Sequence, residues 1–175
     1  MSNYEYIISS LPYLSSGYSY GEGRDFDYTV GEIRRDLSEK DEALLDFLLK
    51  GLGGDGLDAA FYDAALHHRN RFLREYFRFD LNKRNAKVAW LNASLGRKSG
   101  EDIVDGYDAD ADDPAGSLDI DLRRFSGGDF QEKDRMDEIL SGSDILEREK
   151  QLDGITWEKI NSHTLFNYFD IEAVL

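Results

Sequence analysis

The stretch from Leu57 to Leu95, 39 residues, contains neither glycine nor proline, and an apolar stripe runs through it at Leu66, Leu73, Phe77, Leu81, Val88, Leu91 and Leu95. Steps of three, four and seven put these side chains on one face of an α-helix. Unbroken, the helix would be about 58 Å long at 1.5 Å per residue, longer than is usual in a globular domain. A kink is therefore expected near Asp80 to Asn85.

The flanking segments extend the helical reading. "NYEYIISSLPYL" spaces Tyr4, Ile7, Ile8 and Leu11 as a short amphipathic helix that Pro12 ends. Ser15 to Asp27 is rich in Gly, Ser and Tyr and reads as loop. Ser38 followed by Asp41 resembles a capping box with a shorter acid. Beyond it Leu44, Leu45, Leu48, Leu49 and Leu52 repeat at helical spacing until Gly51 and Gly53 stop the pattern. Asp129 to Leu140 and Ser143 to Leu152 predict two short helices broken at Gly142, and Ile155 to Leu175 a further one after Gly154. Only "SLDIDL" alternates like a strand. The expected class is all-α: an elongated multi-helix bundle with one long spine helix, a long acidic loop and at most a stray hairpin.

At 175 residues and 41% hydrophobic the chain suits one helical domain over 1–175, large enough to bury a core. The closing "FDIEAVL" stops in mid-pattern, so the native chain is expected to continue past Leu175. With no cysteine, disulfides, thiolate metal sites and thiol catalysis are all excluded. The opening residues lack a basic start followed by an apolar run, so no secretory signal is read, and no run approaches the ~18 apolar residues that span a bilayer. A cytoplasmic protein is expected.

Motifs that would carry chemistry are weak. "GLGGDG" places Gly51, Gly53 and Gly56 as a G-x-G-x-x-G fingerprint, which would make a dinucleotide-binding enzyme if a strand preceded it. The preceding "ALLDFLLK" is Leu-rich and follows a helix cap, so a helix stop is the better reading. The acidic excursion over 99–128 holds nine carboxylates between Glu101 and Leu122 without Lys or Arg. Such like-charge density favours an exposed loop. Within it Asp108, Asp110, Asp112 and Asp119 fall at EF-hand ligand spacings, giving a calcium-responsive adaptor as an alternative function. Asp113 stands where that loop needs glycine, and Pro114 follows. Adjacent His67 and His68 diverge by about 100° on a helix and cannot share a metal as an i, i+4 pair does. No Ser–His–acid set or nucleophile elbow is visible. No catalytic, cofactor or metal residue is assigned, and no enzyme is expected.

The remaining feature is charge. The chain carries a net −15, yet Arg69, Arg71, Arg74, Arg78, Lys83, Arg84, Lys87, Arg97 and Lys98 oppose only Glu75 and Asp80 between His67 and Lys98, nine against two or +7. Nucleic acid is a poor partner for so acidic a whole. The plainer reading packs Phe72, Leu73, Tyr76, Phe77 and Phe79 inward while arginine stems cover neighbouring helices and their heads meet carboxylates.

Three segments carry a family resemblance: "YEYIISSLPYL" from Tyr4, "YFRFDLNKRN" from Tyr76 and "LEREKQLDGITWEKI" from Leu146. Together they resemble a family of bacterial proteins encoded among V-type ATPase genes, in the place of the C subunit, also called d. Asp80, Arg84, Val88, Asn92, Leu95 and Gly96 stand in an order similar to a motif of eukaryotic d subunits. "FNYFDIEAVL" is similar to the point where C subunits enter a helix that continues with Ala-Tyr and a Lys. The resemblance implies an all-helical socket that sits on the membrane rotor ring, receives the foot of the central shaft and does no chemistry. It implies the shaft and rotor ring as partners, no cofactor, no direct membrane insertion, and a position peripheral to the inner membrane. C subunits are roughly twice this length and built from repeated helical units, so this chain would supply part of a socket. On this reading Arg71, Arg74, Arg78, Lys83, Arg84 and Lys87 form the partner-facing surface.

Overall fold

The computed structural model describes residues 4–15, 17, 19, 21, 24–98, 101–104, 130, 132–165 and 170–175. All regular structure among them is helical: α1 (Tyr4–Ser10), α2 (Phe26–Asp36), α3 (Glu39–Leu52), α4 (Ala59–Leu66), α5 (Arg71–Ser94), α6 (Lys133–Ser141), α7 (Ile145–Thr164) and α8 (Ile171–Val174). The chain is all-α. The "SLDIDL" hairpin, the calcium-type loop Asp108 to Asp119 and the acidic excursion beyond Val104 lie outside the described residues. The helices gather into two compact units, Met1–Asp55 with Thr156–Leu175, and Gly56–Ile155.

In the first unit, side chains at the helix starts fix the ends. The Asp25 carboxylate accepts the Tyr28 N–H at 2.8 Å and opens α2, while Ser38 Oγ accepts the Asp41 N–H at 3.3 Å and opens α3. Asp41 is buried and also accepts hydroxyl protons from Ser38 at 2.6 Å and Tyr4 at 2.9 Å, so the cap of α3 is also the anchor of α1. Ile7, Ile33, Leu45 and Val174 then close an aliphatic core from α1, α2, α3 and α8. Arg34 spans from α2 to Glu42 and Asp46 of α3; these pairs are part-exposed and contribute little beside the apolar contacts. Sequence periodicity assigned Ser15 to Asp27 to loop and named no element after it, whereas α2 begins at Phe26. Phe26, Val30, Ile33 and Leu37 step by four, three and four along it, a helical stripe whose first member fell inside the stretch read as loop.

The second unit is built on α5. The Leu57 to Leu95 stretch is two helices, and the interruption lies at His67 to Asn70 rather than at Asp80 to Asn85, where α5 runs through. Local side chains cause it. Asn70 Oδ1 accepts the Leu73 N–H at 3.0 Å, the Asn70 N–H donates to His68 Nδ1 at 3.1 Å, and Arg74 donates to the His68 carbonyl at 2.7 Å. These bonds satisfy the groups that a continuing helix would have used.

The single stripe also needs correction. Leu66, Leu73, Phe77 and Leu81 are buried as expected, but Leu91 and Leu95 are exposed by 48% and 57%, and Asn85, Ala86 and Asn92 are buried in their place. The stripe assumed one packing partner, whereas α5 has several. Phe77 meets α4 through Phe61, their rings edge to face at 5.1 Å. Phe79 and Ala86 join Phe130, Met136, Ile139, Leu140, Leu152 and Ile155 in a second cluster with α6 and α7.

Toward the C-terminus, Gly142 separates α6 from α7 as expected. Gly154 does not break the chain: α7 runs from Ile145 through it to Thr164, with Asp144 accepting the Leu146 and Glu147 N–H groups at its start. Burial of Leu152 and Ile155 on either side offsets the roughly 1 kcal/mol that a mid-helix glycine costs.

Candidate partner-binding surface on α5

The chemistry of α5 centres on Asp80, a carboxylate only 6% exposed. It accepts a hydrogen bond from the Tyr62 hydroxyl of α4 at 2.9 Å and another from Arg84 Nε, one helical turn on, at 2.7 Å. A buried charge survives only when paired and hydrogen-bonded, and here both kinds of partner are present. The surroundings respond. Burial, then the Asp80 charge, pushes the Tyr76 hydroxyl up to about 12, and Tyr62 is raised further still by burial and by Asp80. Burial pulls Lys83 below the usual lysine range, partly countered by Asp80. For Arg84 burial alone would lower the guanidinium, and the bond to Asp80 outweighs it, so the group stays charged.

The six cations assigned to a partner surface do not share one face. At about 100° per residue, Arg71, Arg74 and Arg78 fall within one narrow arc of α5, while Lys83, Arg84 and Lys87 fall on the opposite side. Arg71 is the most open, 74% exposed and paired with Glu75 at 2.6 Å. Arg74 is half-buried and holds the His68 carbonyl, and Arg78 is half-buried. On the other side Lys83 lies 5.9 Å over the Phe79 ring, Arg84 serves Asp80, and Lys87 reaches both oxygens of Glu149 on α7 at 3.1 Å. Arg148 of α7 stacks 5.4 Å over the Trp90 ring of α5. Lys87 therefore ties α5 to α7, Lys83 and Arg84 make their contacts within α5, and in the first group Arg71 is open to solvent while Arg74 and Arg78 are half-buried.

Two functional-looking features lie elsewhere. Gly51 sits inside α3 and Gly53 caps it, so a helix and not a strand enters "GLGGDG", and the geometry that holds a dinucleotide pyrophosphate is not formed there. Within the first unit a cavity of about 530 Å3 opens among Leu11, Val30, Leu48, Trp157, Ile160 and Val174. Its volume suits a small ligand. The Thr29, Asn161 and Thr164 side chains on its wall donate to carbonyls of their own helices, so the wall offers apolar area more than orientation.

Sequence reading missed the inward residues with polar heads. Tyr62 gave no signal, being one aromatic among many, and Asn85 and Asn92 are polar where the stripe called for solvent. The available hints were the place of Asn92 in the motif order shared with d subunits and the seven-residue spacing, which keeps both on one face of α5.

The fold and this surface define an all-α chain in which the longest helix among the described residues is both core and charged exterior. Residues 53–175 match the family model described as Protein of unknown function (DUF2764), more than half of the chain, and the chain belongs to that family. No curated protein and no solved structure matches it. No helix among the described residues is long and apolar enough to cross a membrane.

Proposed function

We propose that this chain is a non-catalytic mechanical subunit, similar to the C (d) subunit of a V-type ATPase central stalk, that couples the rotary shaft to the membrane rotor ring. The observation that supports the reading is how α5 is held. Aromatic contacts grip it along α4, a buried carboxylate cross-links it to Tyr62, and Lys87 and Arg148 fasten its far end to α7. A part that transmits torque needs this resistance to shear, and it needs a charged face to seat a partner in register. Exposed Arg71, with half-buried Arg74 and Arg78 on the same arc of α5, supplies that face, and an acidic patch on the shaft or ring is the complementary partner. The i, i+4 pair of Arg71 with Glu75 contributes only about 0.3–0.5 kcal/mol, a small amount for a partner's carboxylate to outweigh.

The test is affinity purification of the full-length protein from membranes of its native host, with shaft and ring subunits identified by mass spectrometry. Recovery of both with the wild type, and loss with Arg71→Glu combined with Arg78→Glu, is the expected result. Recovery of neither from solubilised rotor complexes refutes the assignment. Recovery that survives the double reversal moves the contact off α5.

A further inference from the structure

The cavity of the first unit is braced from outside. Tyr4 ties α1 to Asp41 of α3, and Arg34 ties α2 to Glu42 and Asp46 of the same helix, so the helices around the hollow are held by bonds that lie beyond it. Inside, Leu11, Val30, Leu48, Trp157, Ile160 and Val174 face about 530 Å3 of open space. Protein interiors leave few voids larger than a water, because every lining atom forfeits contacts, and a void walled by apolar side chains takes up apolar molecules in preference to water. The opening is apolar as well. Leu14, Phe26, Leu52 and Leu165 all line the cavity, and each stands about half in solvent. Four large apolar side chains around one hollow make an exposed patch that an occupant covers.

The chemistry of the wall selects that occupant. The hydroxyls of Thr29 and Thr164 give their single protons to the Asp25 and Ile160 carbonyls at 3.0 and 3.2 Å, and the Asn161 amide donates to the Trp157 carbonyl at 2.8 Å. Few protons are therefore left to meet an entering carboxylate or phosphate. Among the described residues that line the hollow, Glu172 of α8 is the charged one, and none is Lys, Arg or His. Arg34 borders the adjoining groove between α2 and α3, and its guanidinium is committed to Glu42 and Asp46. An anionic head would give up water here only to meet a carboxylate, at an uncompensated cost. A protonated amine instead gains a charge-assisted bond to Glu172, and the Trp157 ring offers a cation its π-face. The wider field has the same sign: Met1–Asp55 with Thr156–Leu175 holds fourteen acidic against six basic residues, a net −8.

We propose that the cavity is a binding site for a small amphiphile, an aliphatic chain carrying a protonated amine. The chain lies among Leu11, Val30, Leu48 and Ile160 and supplies the affinity, while Glu172 supplies the choice of head. The proposal stands independently of the rotary-stalk reading.

The probes are decylamine, decanol and decanoate, one chain with three heads, each titrated at pH 7 below its micelle concentration. The full-length protein carries Trp90→Phe, which leaves Trp157 as its one indole. The expected result is a saturable blue shift of Trp157 emission, reached with decylamine at a concentration about tenfold lower than with decanoate, and with decanol in between. Glu172→Gln keeps the shape of the wall and removes its charge; it should weaken decylamine about fivefold and leave decanol unchanged. Val30→Phe fills the hollow and should abolish the shift with all three. If none of the three shifts Trp157 saturably, there is no site. If decanoate binds as tightly as decylamine, or Glu172→Gln leaves decylamine unaffected, the wall does not select an amine and the assignment is overturned. A shift that survives Val30→Phe places the molecule outside the hollow and overturns it equally; should that variant not fold, Glu172→Gln decides alone.

Discussion

The two units solve the burial problem in opposite ways. Gly56–Ile155 is packed with rings set edge to face, Phe61 against Phe77 at 5.1 Å and Tyr76 against Phe77 at 5.2 Å, and its buried polar groups, Asp80, Asn85 and Asn92, have hydrogen-bond partners. The unit of Met1–Asp55 and Thr156–Leu175 closes an aliphatic core, Ile7, Ile33, Leu45 and Val174, and leaves about 530 Å3 open beside it. Interiors at full density lose contacts with every atom removed, whereas walls of a void have fewer to lose. The first kind of core specifies one arrangement of its helices, and the second tolerates change.

Matched leucines give the largest contrast. Leu73 in the aromatic unit is fully buried, and Leu73→Ala should destabilise by about 4–5 kcal/mol, the upper part of the range for such truncations. Leu48, on the wall of the cavity, should cost about 2–3 kcal/mol on the same change. Urea denaturation measures both. Equal losses would mean that the cavity wall is as tightly held as the ring cluster, and the contrast between the units would be gone.

The polar half of the contrast rests on Asp80. Replacing it with alanine strands the Tyr62 hydroxyl and part of Arg84, at a cost of about 2–3 kcal/mol; the figure is held below that of a fully buried pair because Arg84 is 45% exposed. Once Asp80 is gone, Tyr62→Phe should cost almost nothing more, so the two losses should be strongly non-additive. Additive losses in this double-mutant cycle would show that the 2.9 Å contact couples nothing.

Alkaline pH probes the same network at a smaller scale. A tyrosine in the unfolded chain ionises near pH 10, whereas Tyr76 holds its proton to about 12 in the folded protein. The unfolded state therefore sheds the proton first. Stability is fully present below pH 10 and falls by on the order of 2 kcal/mol as pH rises from 10 to 12. Lys83, whose folded value is lowered, contributes with the opposite sign, so the quantity to measure is wild type minus Tyr76→Phe. A difference that stays flat across that window would place Tyr76 in contact with water.

What could be read from sequence follows the same division. Helical class, the caps at Ser38 and Gly142, and the inward turn of Phe72, Leu73, Tyr76, Phe77 and Phe79 all depend on neighbours within a turn or two, which periodicity records. The break at His67 to Asn70 was decided by local bonds of Asn70, His68 and Arg74, a competition that no stripe of apolar residues reports. Exposure of Leu91 and Leu95 was hidden because the buried side of α5 changes along its length, and only the folded partners determine where. The charge of α5 was plain in the sequence. That Arg84 and Lys87 spend it on Asp80 and Glu149 was not, since Glu149 lies 62 residues from Lys87.

The smallest predicted effect runs in the stabilising direction and is the sharpest test of the loose core. Val30 lines the cavity from α2 and is half-buried, so Val30→Ile adds one methylene that can enter open space without displacing a neighbour. A buried methylene contributes about 0.8 kcal/mol, and the β-branched swap costs no helix propensity, so thermal or urea unfolding should show a gain of about 0.5–1 kcal/mol. In the aromatic unit the equivalent enlargement, Ala65→Val at a position 0% exposed, should instead destabilise by about 1–3 kcal/mol, because nothing there can give way. The pair of measurements therefore has opposite expected signs. A loss at both positions would mean that the cavity closes up in solution, and the difference between the two units would then be one of composition and not of packing.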